Sequence, residues 1–225
     1  MNYRQQRGVA YLSTLIALPV LGALIGGAIQ LGLIYQAKAV LNHAVLTAAR
    51  TGATNNADPQ AINNGLARGL APLYVSGTSY LRAQGAIQTR VRLDILGNSC
   101  VRILNPNREA FRDHDVTNAD PLRDNTISIY ELNTLPITIG AVSGTSIQDA
   151  MILQLYVVYG ARASVPVIGP LLTRLIAIWG DASGYRLRLL LQGRIPIESQ
   201  AIVRMSSSAR LSDMVESRSS DRFSC

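Results

Sequence analysis

Between positions 113 and 124 the chain gathers Asp113, His114, Asp115, Asn118, Asp120 and Asp124, a run of side chains rich in oxygen. Calcium takes about six to eight oxygen ligands, so this is the residue type from which such a site is built. The spacing argues against it. An EF-hand loop needs a central glycine for its sharp turn, and no glycine falls between 113 and 124. Zinc fits less well still, because the segment offers one histidine and no cysteine at suitable spacing. The stretch reads as a solvated acidic loop, and no metal or cofactor is expected.

Catalytic chemistry finds little to stand on. His43 and His114 are the only histidines, and for neither does the sequence define a carboxylate or nucleophile in a catalytic arrangement. G-x-S-x-G, H-E-x-x-H and P-loop patterns are absent. No catalytic residue is assigned, and the chain is not expected to be an enzyme. Cys100 and Cys225 are the two cysteines, and neither sits in a CxxC or zinc-ligand spacing. In an exported domain they read as one disulfide fastening the C-terminus. The other reading is two separate thiols.

The net charge is +7 and rests on arginine, with Lys38 the sole lysine. The arginines are scattered, and Phe111 and Phe223 are the only phenylalanines. Nucleic-acid binding needs clustered cations and aromatic platforms, so that class is set aside. Attraction to anionic lipid or an acidic partner stays open.

The elements that position these residues begin with residues 1–8, a basic leader carrying Arg4 and Arg7 and no acid. Residues 9–34 follow without a single charge. At ~1.5 Å per residue this run reaches roughly 39 Å, enough for a bilayer core of about 30 Å. A secretory signal ending at Ala37-Lys38-Ala39 is the weaker reading, because its apolar region spans only about 7 to 15 residues. Basic residues before the span place the N-terminus in the cytoplasm and the rest of the chain outside.

Within the run, Gly22 and Gly26 lie four apart, as do Ala23 and Gly27. Small residues at that spacing let another helix approach closely, so these four are the candidate helix-packing residues. Pro19 removes one backbone hydrogen bond and is expected to kink the helix. Past the run, Ala37, Val40, Leu41, Ala44, Val45 and Ala48 recur at three- and four-residue steps. One helix is therefore expected to leave the membrane and pack an apolar stripe on the domain, with Gly52 as its stop. His43 sits beside the stripe as a packing or rim residue.

Several words in order carry a resemblance: RQQRGVAYLSTLIALPVL at 4–21, LNHAVLTAARTGA at 41–53, VRILNPNREAFRD at 101–113, SIQDAMILQLYVVYG at 146–160 and GRIPIESQAIVRMSS at 193–207. Together they resemble the TadE-like minor pilins, or pseudopilins, of the tight-adherence (Tad/Flp) pilus system. The resemblance implies a leader cut by a prepilin peptidase between Gly8 and Val9. It also implies a pilin-like periplasmic domain on a single-pass anchor in the bacterial inner membrane. The implied partners are that membrane, the peptidase, other pilin or pseudopilin subunits and the pilus assembly platform. Many members carry Glu at the fifth position after the cut, where it is linked to filament assembly; here Ser13 stands there. That departure fits a minor, anchored, priming or tip component. The alternative is a membrane-tethered extracytoplasmic binding protein or adhesin that never enters a filament.

The domain itself reads as α+β, with an antiparallel sheet and flanking helices. Asp58-Pro59 opens a helix through Ile62, Leu66 and Leu70, closed by Pro72. A short helix is expected over 78–88. Val91, Leu93 and Ile95 alternate with Arg90, Arg92 and Asp94, predicting a strand that forms a hairpin with 100–104 around Gly97-Asn98. Residues 151–159 predict a central strand, and 195–205 a second strand beside it. Residues 185–191 fit either helix or strand. The 165–179 segment predicts an apolar helix, read first as buried, then as docking on a membrane or neighbour, and last as a second span. The divisions expected are 1–8, 9–52, 53–205 and a polar, extended or disordered tail over 206–225.

Overall fold

The computed structural model describes residues 3–74, 80–114, 126–130, 138–180 and 184–211. A single helix, α1, runs Tyr3–Thr54, with Pro19 inside it. Its 52 residues correspond to roughly 78 Å at ~1.5 Å each. Gly52 does not stop it. The helix ends where Asn56 and Ala57 take positive φ, 56° and 60°, and the Ala57 N–H returns to the Gly52 carbonyl. Gly52 is glycine for another reason: a methyl group there would lie 2.6 Å from Ile62 Cγ1 and 3.0 Å from Leu153 Cδ2.

Helix α2 (Pro59–Leu70) starts as the sequence predicts, with the Asp58 carboxylate accepting from the Gln60 and Ala61 N–H groups. A short 3-10 turn, Ala71–Tyr74, follows. Helix α3 (Tyr80–Asn98) corrects the expected hairpin, because 90–95 is helical and strand β1 (Ser99–Asn105) begins directly after it. The alternation of 90–95 is misleading. Val91, Asp94 and Ile95 face inward at three- and four-residue steps, whereas Leu93 and Leu96 are exposed. Placing Asp94 on a solvent face created a period of two where the true period is helical.

Helix α4 (Arg108–His114) is capped by the Asn107 side chain, which accepts from the Ala110 N–H, and buries Phe111. Strand β2 (Thr126–Ile127) and helix α5 (Ile147–Ala150), capped by Ser146, lead to strand β3 (Ile152–Arg162). Then come helix α6 (Ile168–Trp179), helix α7 (Tyr185–Leu191), strand β4 (Arg194–Arg204) and strand β5 (Ala209–Arg210). The choice left open at 185–191 resolves as helix.

The larger sheet has the order β1-β3-β4, so β3 is central and β4 is its neighbour, as expected. The register of β1 on β3 is antiparallel, from Ser99 opposite Tyr159 to Ile103 opposite Leu155, with a shift before Asn105. Both faces of β3 are buried over 157–161, whereas at 152, 154 and 156 one face is half-buried. On β4, Ile195, Ile197, Ser199 and Ala201 are buried, and Gln200, Ile202 and Arg204 are exposed. A two-stranded antiparallel pair joins β2 to β5.

The chain divides into two compact units. One is Met1–Gln36 with Ala161–Ile195; the other is Ala37–Gly160 with Pro196–Cys225. The second holds the core, built from the α1 stripe, α2, α3, β1 and β3. The described part of the tail is tied into it. The Ser206 and Ser207 N–H groups donate to the Ala53 carbonyl, and the Asn56 amide donates to the Ser208 carbonyl. The rest of the tail, Cys225 included, and the acidic stretch from Asp115 to Asp124 lie outside the described residues.

Candidate functional site

The site is α1 itself, and its two parts present different chemistry. From residue 13 to residue 25 every side chain is exposed. Leu15 is 73% exposed and Leu24 67%. A soluble protein does not leave a continuous apolar rod in water, and this helix is long and apolar enough to cross a membrane. Gly8 and Val9 lie on this same helix.

The small residues of this part do not share one role. A methyl group on Gly26 would lie 3.0 Å from Ile168 Cγ1, so the chain's own side chain fills that position. Gly22 and Gly27 face open space, and Ala23 is exposed. One turn beyond Gly26, Gln30 is fully buried, and its Oε1 accepts the Val165 N–H at 3.0 Å. Its Nε2 has no hydrogen-bond partner among the described residues.

The later part of α1 is a packed surface. Leu41, Ala44, Val45, Ala48 and Ala49 are fully buried, and Ala37 nearly so, in agreement with the predicted stripe. Val40 is half-buried and His43 exposed. Lys38 Nζ donates to the Glu198 carbonyl on β4. Helix α2 lies against the stripe through Gly65 and Gly69. A methyl group on Gly65 would lie 2.9 Å from Ala48 Cα, and one on Gly69 would overlap Ala44. Sequence reading missed this second G-x-x-x-G pair, although its spacing equals that of Gly22 and Gly26.

A buried polar cluster lies among the 3-10 turn, α3 and β3. Tyr74 and Tyr159 place their phenol oxygens 2.7 Å apart, and both reach Asp94 Oδ2. Asn98 Nδ2 donates to Asp94 Oδ1 at 3.1 Å. Burial, then the hydrogen bonds to Asp94 and Tyr159, push the Tyr74 phenol far above its usual value. A phenol held neutral beside a carboxylate already engaged by three side chains is poorly suited to attack or to take a proton. The cluster joins the helix to the strand. Cys100 is buried on β1, while the cysteine expected to pair with it, Cys225, lies outside the described residues.

The described end of the acidic stretch is structural as well. The Asp113 carboxylate accepts from the Val142 and Ser143 N–H groups, the latter at 2.6 Å. His114 Nε2 lies 2.9 Å from the Thr145 carbonyl. Both residues are engaged in holding the 140–145 turn.

Residues 14–50 match the family model described as TadE-like protein. The match takes in most of the exposed apolar part of α1 and most of the packed stripe. No curated protein and no solved structure is detectably similar to the chain.

Proposed function

We propose that this chain is a membrane-anchored minor pilin or pseudopilin that acts as a structural or priming component in assembly of a Tad/Flp-type pilus, without catalysing a reaction. The single observation that carries this reading is the position of the TadE-like match. It falls on one helix that is bare where it is most apolar and buried where it becomes amphipathic. A rod of that kind joins a membrane to a folded domain.

In this reading the N-terminus lies in the cytoplasm and the domain in the periplasm of a bacterial inner-membrane protein. A prepilin peptidase removes residues 1–8 by cutting between Gly8 and Val9. Gly22, Ala23 and Gly27 remain available to a second span, whereas Gly26 is taken by Ile168 of the same chain. Partner subunits and the assembly platform meet the exposed surface, and Cys100 pairs with Cys225. Ser13, where many relatives carry Glu, favours a component that primes or caps a filament over its bulk subunit.

The test is the mature N-terminal residue. Wild type should begin at Val9, and Gly8→Asp should retain its leader. A wild-type chain that still begins at Met1 would refute processing, and identical mature masses for the two would refute its dependence on Gly8. Recovery of the chain in sheared, purified pili would support entry into the filament. Its retention in the membrane with pili still assembled would favour the tether or adhesin reading.

A further inference from the structure

The unit formed by residues 1–36 and 161–195 leaves a second apolar surface bare. Helix α6 was expected to be buried, yet only Gly169 and Thr173 on it are. Val167 is 78% exposed just before it, and Ile178 and Trp179 are 74% and 85% exposed at its end. Leu171 and Leu175 are exposed between them. Helix α7 packs on α6, and its last residue, Leu191, is exposed too.

What covers this surface follows from where it is attached. Ile168 rests on Gly26, and the Val165 N–H is held by Gln30. Gln30 and Gly26 precede the end of the apolar run at Ile34 by four and eight residues, or roughly 6 and 12 Å along the helix at ~1.5 Å per residue. Interfacial helices bury their apolar face about 5–10 Å below the headgroup boundary, a range that overlaps the interval between these two points. The turn before α6 is fastened by three backbone donors: the Val165, Ile168 and Gly169 N–H groups go to Gln30 Oε1, the Pro166 carbonyl and the Val165 carbonyl. Charge agrees: Arg162, Arg174, Arg186, Arg188 and Arg194 face a single acid, Asp181, over 161–195, a balance that favours anionic lipid.

We infer that α6 is a second membrane-seated element, which does not cross the bilayer and occupies the leaflet nearest the C-terminal end of the span. Its occupant is lipid, continuous with the lipid around residues 13–25. The inference rests on the span reading of α1. The anchor is thereby a rod with a side foot, and the Gln30–Val165 hydrogen bond fastens the foot to the rod.

Trp179 is the chain's only tryptophan, which supplies a native probe. The full chain is reconstituted in phosphatidylcholine–phosphatidylglycerol vesicles, with or without brominated acyl chains. Blue-shifted emission that is mostly lost in the brominated vesicles is expected. Emission typical of indole in water overturns the inference. So does blue-shifted emission that bromine does not quench, because protein, such as a second copy, then covers the helix. Alkaline carbonate extraction of the same vesicles tests the span separately. Retention with an unquenched Trp179 refutes the foot alone, and release refutes the span and the foot together.

Discussion

Gly69 of α2 stands against Ala44 of α1 so closely that a methyl group on it would overlap the Ala44 Cα. One turn away, Gly65 meets Ala48 in the same manner. Two glycines four apart on one helix and two alanines four apart on the other bring the backbones together. The same spacing at Gly22 and Gly26 has a different outcome, because among the described residues only Gly26 of that pair meets another side chain.

Gly69→Ala should therefore destabilise the fold. Helix propensity alone would favour alanine by about 1 kcal/mol. Overpacking costs about 1–3 kcal/mol, and more where the obstacle is backbone that cannot rotate away. We expect a net loss of about 2 kcal/mol in chemical denaturation of the full chain in mild detergent. Gly52→Ala should cost less, since it meets side-chain atoms of Ile62 and Leu153 rather than backbone. Gly22→Ala should cost nothing. Equal stability for Gly69→Ala and Gly22→Ala would show that the close approach carries no energy.

The Tyr74–Asp94–Tyr159 cluster makes a second prediction. Tyr159→Phe removes a donor from a buried carboxylate, an interaction worth about 1.5–3 kcal/mol. Tyr74→Phe should cost a similar amount, and the two together less than their sum, because they share one acceptor. Additive losses would mean that the phenols act independently. The sign of the pH effect follows from the raised Tyr74 pKa. The unfolded phenol ionises near its ordinary 10.0, and the folded one does not. Stability is fully present below that pH and falls as alkalinity rises above it. In Tyr74→Phe this alkaline limb should be shallower.

Much of this architecture is legible in the residues themselves. The uncharged run ahead of the Ala/Leu/Val stripe announces α1, because only a helix puts those positions on one face. Asp58-Pro59 announces α2, and the branched run of β3 announces the central strand of the sheet. The failures have a common cause. At 90–95 a buried aspartate looked like a surface residue, since its partners, Tyr74 and Tyr159, are distant in sequence. At 168–179 apolar composition was read as burial, although composition cannot tell protein from lipid as the apolar surroundings. At Gly52 a glycine was read as a helix stop when close packing is what requires it.

Cys100 and Cys225 supply a third prediction, on the proposal that they pair. Protein isolated under non-reducing, alkylating conditions should carry no alkyl group and should gain one on each cysteine after reduction. Cys100→Ser should leave Cys225 open to alkylation without reduction. Alkylation of Cys225 in the native wild type would refute the bond.

Asp113 supplies the last prediction, on the acid side. Its carboxylate accepts hydrogen bonds from Ser143 and Val142, and these hold its pKa below the ordinary 3.8, the Ser143 bonds most of all. A depressed carboxylate contributes stability that is full above its unfolded pKa and lost as pH falls through the folded one. The 140–145 turn should therefore remain protected at neutral pH and loosen only in acid below about 4. Hydrogen exchange at the Val142 and Ser143 amides reads this directly, since those are the groups the carboxylate holds. Asp113→Asn keeps the shape but weakens the acceptor, so both amides should exchange faster at neutral pH and lose the acid transition. Gly140→Ala tests the same contact from the other side, because a methyl group there would press on the Asp113 carboxylate. If both amides stay protected in Asp113→Asn, the turn is held by its own backbone bonds, and the carboxylate is incidental to it.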